Sequence, residues 1–174
     1  DQKELLKGRG EVTDLHLQAW QEIFSQPIAG GPTTRGFDTY FGTDVPNWPP
    51  YCFIENDRTV GIPSEFLPER LLKNHQASVP GPAMKDWKLE PTLPALTNRV
   101  CEIISSSATK TEPFLIYMPL TTPHTPLAVN EDWKGKSGLD SAAADLIMET
   151  DAAVGRVLTA LDQSGKADNT LVFF

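Results

Sequence analysis

The chain has 174 residues, of which 40% are hydrophobic and 22% charged, with a net charge of -8 and a pI near 4.8. That length allows a domain with a real core, and the composition is ordinary for a globular protein. The acidic balance argues against a nucleic-acid or anionic-membrane partner, each of which wants a basic face, but leaves room for a small anionic substrate held by a few local cations. No stretch approaches a transmembrane length, and no charged-then-apolar leader opens the chain. Cys52 and Cys101 are the two cysteines. Their pairing is open from sequence, two ordinary semi-buried thiols being the simpler reading, and no cysteine–histidine spacing suits zinc.

In chain order, Val12, Leu15, Leu17, Trp20 and Ile23 predict an amphipathic helix within residues 1–26. Residues 27–34, with Gly30, Gly31 and Pro32, read as a loop. A Gly-Phe-Asp-Thr-Tyr-Phe-Gly segment follows at 36–42, then a proline-rich stretch over 45–51. Residues 51–54 and 59–62 suggest a small hairpin turning at Asn56 and Asp57. Residues 63–91 form a long, turn-rich insertion without a clear period. Leu96, Val100, Ile103 and Ile104 predict a second helix, with Thr92 as its cap and Pro94 in its first turn.

Phe114 to Met118 is an apolar, aromatic-rich run bounded by Pro113 and Pro119, as a core strand should be. Beyond it His124 stands between Pro123 and Pro126. Thr122 and Thr125 each precede a proline, which pushes both toward extended geometry. The imidazole therefore rides a stiff loop past the carboxyl end of a strand, where open α/β sheets place ligands. A third helix is expected over about 141–163, capped by Asp140, with Leu146, Val154, Val157, Leu158 and Leu161 on its apolar face and Gly165 at its end. Residues 170–174 read as a second strand. Strand, helix and strand in this order predict a parallel βαβ unit with a right-handed crossover. The apolar run stops at Phe174 without a turn signal, so the chain reads as an interior piece of a longer protein.

Three segments together resemble the sulfatase family, in its arylsulfatase A-like group within the alkaline phosphatase superfamily. They are the Gly-Phe-Asp-Thr-Tyr-Phe-Gly run at 36–42, the Pro113–Met118 run continuing to Pro123, His124, Thr125 and Pro126, and the stretch from Met148 to Leu158 continuing through 167–174. The resemblance implies an α/β fold, a partial alkaline-phosphatase-like sandwich with long Pro/Gly-rich loops, and makes residues 1–174 the central part of one catalytic domain truncated at both ends. It implies a sulfuric ester hydrolase acting on aryl sulfates or sulfated glycans through a formylglycine nucleophile and calcium. His124 then matches the family histidine that contacts the sulfate and the leaving oxygen. Export to the periplasm, cell surface or lysosome is what the family implies for location.

The departures from the family are specific. The Cys-x-Pro-Ser/Ala-Arg modification motif does not occur, since Cys52 is followed by Phe53 and Cys101 by Glu102. The Gly-Lys-Trp-His segment is expected upstream, and the Asp-Asn-Gly calcium ligands directly after the last strand. Asp168 and Asn169 precede that strand, so no metal ligand is assigned and the chain alone is expected to be inactive. Ala142, Ala143 and Ala144 stand where relatives often carry an aromatic residue. Lys134 and Lys136 are candidate contacts for an anionic substrate, and Asn47 a candidate residue of the substrate entrance. Trp48 and Trp133 are candidates for stacking on a ring. His16 and His75 read as solvated surface residues. A superfamily phosphatase or phosphodiesterase, and a non-catalytic relative that binds sulfated glycans, are the rival readings.

Overall fold

The computed structural model describes residues 11–72 and 78–174. These form two compact units that meet in sequence between Leu89 and Glu90. His75 lies outside the described residues.

Among the described residues, the first element of the first unit is helix α1, Asp14–Phe24. Its start is built by His16, whose Nδ1 accepts from Thr13 N at 3.1 Å and lies 2.8 Å from Thr13 Oγ1. His16 is thus part of a helix cap at the surface. Of the expected apolar face only Trp20 is buried, while Leu15 and Ile23 are exposed.

Three short strands make one antiparallel sheet: β1 (Phe41–Gly42), β2 (Ile54–Glu55) and β3 (Arg58–Thr59), in the order β1-β2-β3. The β2–β3 hairpin turns at Asn56 and Asp57, as the sequence predicts. Asn56 takes φ 56°, a conformation that asparagine tolerates because its short amide bonds locally. That amide stitches the turn to the Gly36–Gly42 segment: Tyr40 N donates to Asn56 Oδ1 at 3.1 Å, and Asn56 N donates to Tyr40 O at 2.8 Å. Tyr40 Oη reaches over Gly42 to donate to Thr43 O at 2.7 Å. A Cβ on Gly42 would lie 2.8 Å from that hydroxyl, so the glycine that closes the segment has a steric reason.

The insertion over 63–91 holds structure that its lack of period concealed. Strand β4 (Glu65–Leu67) pairs antiparallel with β5 (Gly81–Ala83). These strands are three residues long, and β5 carries Pro82, a residue confined to sheet edges because it cannot donate to a ladder. Gly81 is required by close approach, since a Cβ there would meet Pro49 at 2.5 Å. Tyr51, Leu67, Leu72 and Ala83 form this unit's core, with Trp87 and Leu89 against it. Cys52 is a buried free thiol, pushed up to about 11 by burial first and by Asp44 second.

The second unit is built on two helices, α2 (Thr92–Ser107) and α3 (Ala142–Gln163). Both start one residue away from the expected caps. Pro91 precedes α2 and Thr92 is buried inside its first turn. Ser141, not Asp140, caps α3 by accepting Ala144 N at 3.3 Å. Val100 and Ile104 of α2 pack on Ala160 and Leu161 of α3, and Phe114, Ile116 and Met118 lie against them with Val157 and the half-buried free thiol of Cys101. Leu158 is exposed rather than part of this face.

The α/β class stands, but the parallel pairing of 114–118 with 170–174 does not form among the described residues. Residues 114–118 nevertheless keep a strand's period of two: Phe114, Ile116 and Met118 face the core, while Leu115 and Tyr117 are 82% and 73% exposed. Leu171 to Phe174 are exposed throughout. A parallel pair is less stable per residue than an antiparallel one and normally sits in a sheet covered on both faces. Two segments open to solvent lack that cover.

Candidate functional site

His124 sits where the sequence places it, on irregular backbone six residues past Met118. The Thr122–Pro123 and Thr125–Pro126 peptide bonds that bracket it are cis. Its side chain is exposed, and Nδ1 lies 2.5 Å from Thr125 O. A carbonyl oxygen only accepts, so Nδ1 carries the proton and Nε2 is the nitrogen left for a ligand. Neutral, that Nε2 accepts a proton or a hydrogen bond; protonated, it donates to an oxyanion or a departing alkoxide.

The second sequence-predicted element, the loop over 130–138, belongs to the same unit. A single 3₁₀ turn at Glu131–Trp133 opens it. Lys134 bonds Glu131, and its ammonium is held above the ordinary lysine value by that hydrogen bond first. Lys136 is exposed and forms no ion pair among the described residues. Trp133 is half-buried. It lines a small open groove with Leu93, Pro94, Thr97, Ala153 and Arg156, where Arg156 donates to Asn98 Oδ1 at 2.6 Å.

What fixes both loops is one face of α3. Thr150 Oγ1 lies 2.6 Å from Thr122 Oγ1, two residues before His124. Glu149 accepts Asn130 N at 3.1 Å and Asn130 Nδ2 at 2.5 Å, and that same Nδ2 donates to Glu90 O at 2.8 Å. Asp145 accepts Gly135 N at 2.7 Å and Ser137 N at 2.9 Å. Its carboxyl is held below the ordinary aspartate value by the Ser137 side chain first and by the two backbone N–H groups next, with burial opposing them. Asp145, Glu149 and Thr150 are all buried. A loop without a ladder must find acceptors for its N–H groups, and buried carboxylates supply them.

Sequence reasoning missed Asn130, Asp145 and Glu149 as structural determinants. The signal was present: two acidic residues four apart, on the stripe that also carries Leu146 and Ala153. Acidic residues on an apolar stripe are rarely buried unless something bonds them.

Asn47 lies in the first unit and is buried. Its backbone oxygen accepts Tyr51 Oη at 2.8 Å and Val79 N at 3.1 Å. Trp48 beside it is half exposed. Among the described residues, no three His, Cys, Asp or Glu side chains are grouped to hold a metal ion. Cys52 is buried and Cys101 lies on α2, and neither has the sequence context of a modifiable nucleophile. The described residues therefore fit neither calcium nor formylglycine, and neither group enters the roles derived below.

The family model described as Sulfatase matches residues 16–174. Rat steryl-sulfatase is 43% identical over 61 residues, 35% of this chain and 10% of the relative. Bovine arylsulfatase A is 32% identical over 106 residues, 57% of this chain and 21% of the relative. Mouse N-acetylgalactosamine-6-sulfatase is 24% identical over 159 residues, 82% of this chain and 26% of the relative. The chain thus spans about a quarter or less of these relatives. A solved structure from work on glycosaminoglycan metabolism by Bacteroides thetaiotaomicron superposes with a TM-score of 0.69 over 84% of this chain and 37% of that one, at 24% identity. With the family model matched over nearly all of its length, the chain belongs to the sulfatase family.

Proposed function

We propose that the protein hydrolyses sulfate esters, aryl sulfates or sulfated glycans, and that His124 contacts the sulfate and the leaving oxygen. The observation that carries this reading is the hydrogen bond from His124 Nδ1 to Thr125 O. It commits one nitrogen to the loop and frees Nε2 on an exposed side chain. As imidazolium, Nε2–H stabilises negative charge on a sulfate oxygen and protonates the alkoxide as the S–O bond breaks. Lys136 adds a cation for an anionic substrate, while Lys134 is engaged by Glu131. Asn47, buried with its carbonyl occupied, serves as an anchor for the proline-rich loop. Calcium and a formylglycine are what the family resemblance adds, from residues other than those described. Export is the location that the family reading favours; no helix of the described residues is long and apolar enough to cross a membrane.

The test is substrate choice by the full-length protein on matched aryl sulfate and aryl phosphate esters. Release of sulfate with little release of phosphate is expected. Phosphate release alone would move the protein to the phosphatase reading, and binding of sulfated glycans without turnover would make it a non-catalytic relative.

A further inference from the structure

Lys136 has an unusual setting. Its own N–H donates to Trp133 O at 3.1 Å, and the N–H groups of its two neighbours, Gly135 and Ser137, both end on the Asp145 carboxylate. Three consecutive amides are committed while the ammonium is exposed. One turn further along α3, Glu149 holds the start of the same loop through two bonds to Asn130. One residue beyond that, Thr150 takes the His124 loop. Its hydroxyl proton is committed to Leu146 O at 2.7 Å, so in the 2.6 Å contact Thr122 is the donor.

Five donors from two loops therefore converge on three buried side chains within six residues of one helix. The carboxylates satisfy loop amides, and in doing so they fix the backbone on both sides of Lys136, whose exposed side chain forms no ion pair among the described residues.

We infer that Asp145 and Glu149 are positioning residues, which hold Lys136 in fixed relation to His124 so that its ammonium binds an anionic group of the substrate other than the ester being cleaved. The inference rests on the sulfatase reading. It adds a substrate class: sulfate esters that carry a second negative charge.

The test uses the full-length protein and two probes, phenyl sulfate and 4-carboxyphenyl sulfate. Lys136→Met should raise KM for the carboxylated ester about tenfold more than for the neutral one, the scale of one modest charge contact. Asp145→Asn should do the same, with kcat changing far less than KM. The double variant should be no worse than either single one, since both remove the same contact. Equal effects on the two esters, or single effects that multiply, would overturn the inference. Lys136→Met alters an exposed side chain, so a folding defect cannot account for a null result there.

A wild-type protein that hydrolyses neither ester overturns the sulfatase reading instead. Calorimetric binding of 4-carboxyphenyl sulfate then decides the positioning claim separately: unchanged affinity in both single variants sinks it, and a matched loss in both upholds it.

Discussion

At the scale of single residues, the side chains that matter differ in how they bear on the site. His124 offers a ligand one nitrogen because Thr125 O has taken the other. Asp145 acts through backbone amides, and its charge state controls them. Its folded pKa lies below the ordinary value of 3.8. The stabilisation it gives is therefore fully present above that value and is lost as pH falls through the lower folded pKa. The gap in melting temperature between wild type and Asp145→Asn should be widest near neutral pH and close progressively below about pH 4; a gap that stays constant into the acid range would contradict the assignment. Gly81 makes a different kind of demand, since a Cβ there would sit 2.5 Å from Pro49. Gly81→Ala should destabilise the protein by roughly 1–3 kcal/mol through overpacking, and urea titration at equal m-value would show it. An unchanged midpoint would mean the Pro49 loop moves aside freely.

At the scale of elements, the long periodic segments were legible and the short ones were not. Both helices of the second unit follow from apolar spacing, and the Asn56–Asp57 turn from its residue types. The caps were displaced by one residue because Thr92 and Asp140 have the right chemistry beside residues that the backbone used instead. Strands β4 and β5 are not legible in the sequence because three residues each, with Pro82 in β5, carry no readable alternation. Residues 114–118 show the converse: the alternation is there in burial, yet no ladder forms, because pairing depends on neighbours that a local pattern does not contain. The α3 face was half legible. Leu146 and Leu161 were assigned to it correctly, whereas Asp145 and Glu149 were not, because burial of an acid depends on loop amides distant in sequence. Leu146 is 1% exposed beside those acids. Leu146→Ala should cost about 2–5 kcal/mol, read by chemical denaturation, and a loss below 1 kcal/mol would mean that this face is not packed as described.

At the scale of the whole molecule, the structure divides into two compact units, and the family match runs through both. The family was legible only through three motif segments taken together, and the match over residues 16–174 agrees with them. The exposed apolar residues Leu115, Tyr117 and Leu171 to Phe174 make a physical prediction for the 174-residue chain by itself. It should self-associate as its concentration rises, since apolar surface of this kind is seldom left in water; sedimentation as a monomer across the micromolar range would count against the exposure described. The most direct test of the functional account is the turnover of an aryl sulfate by the full-length protein against its His124→Gln variant, with circular dichroism confirming equal folding. A kcat about 10²-fold lower is expected in the variant, the usual scale for losing a proton donor or oxyanion contact. Equal kcat in a folded variant would contradict it and remove His124 from the chemistry.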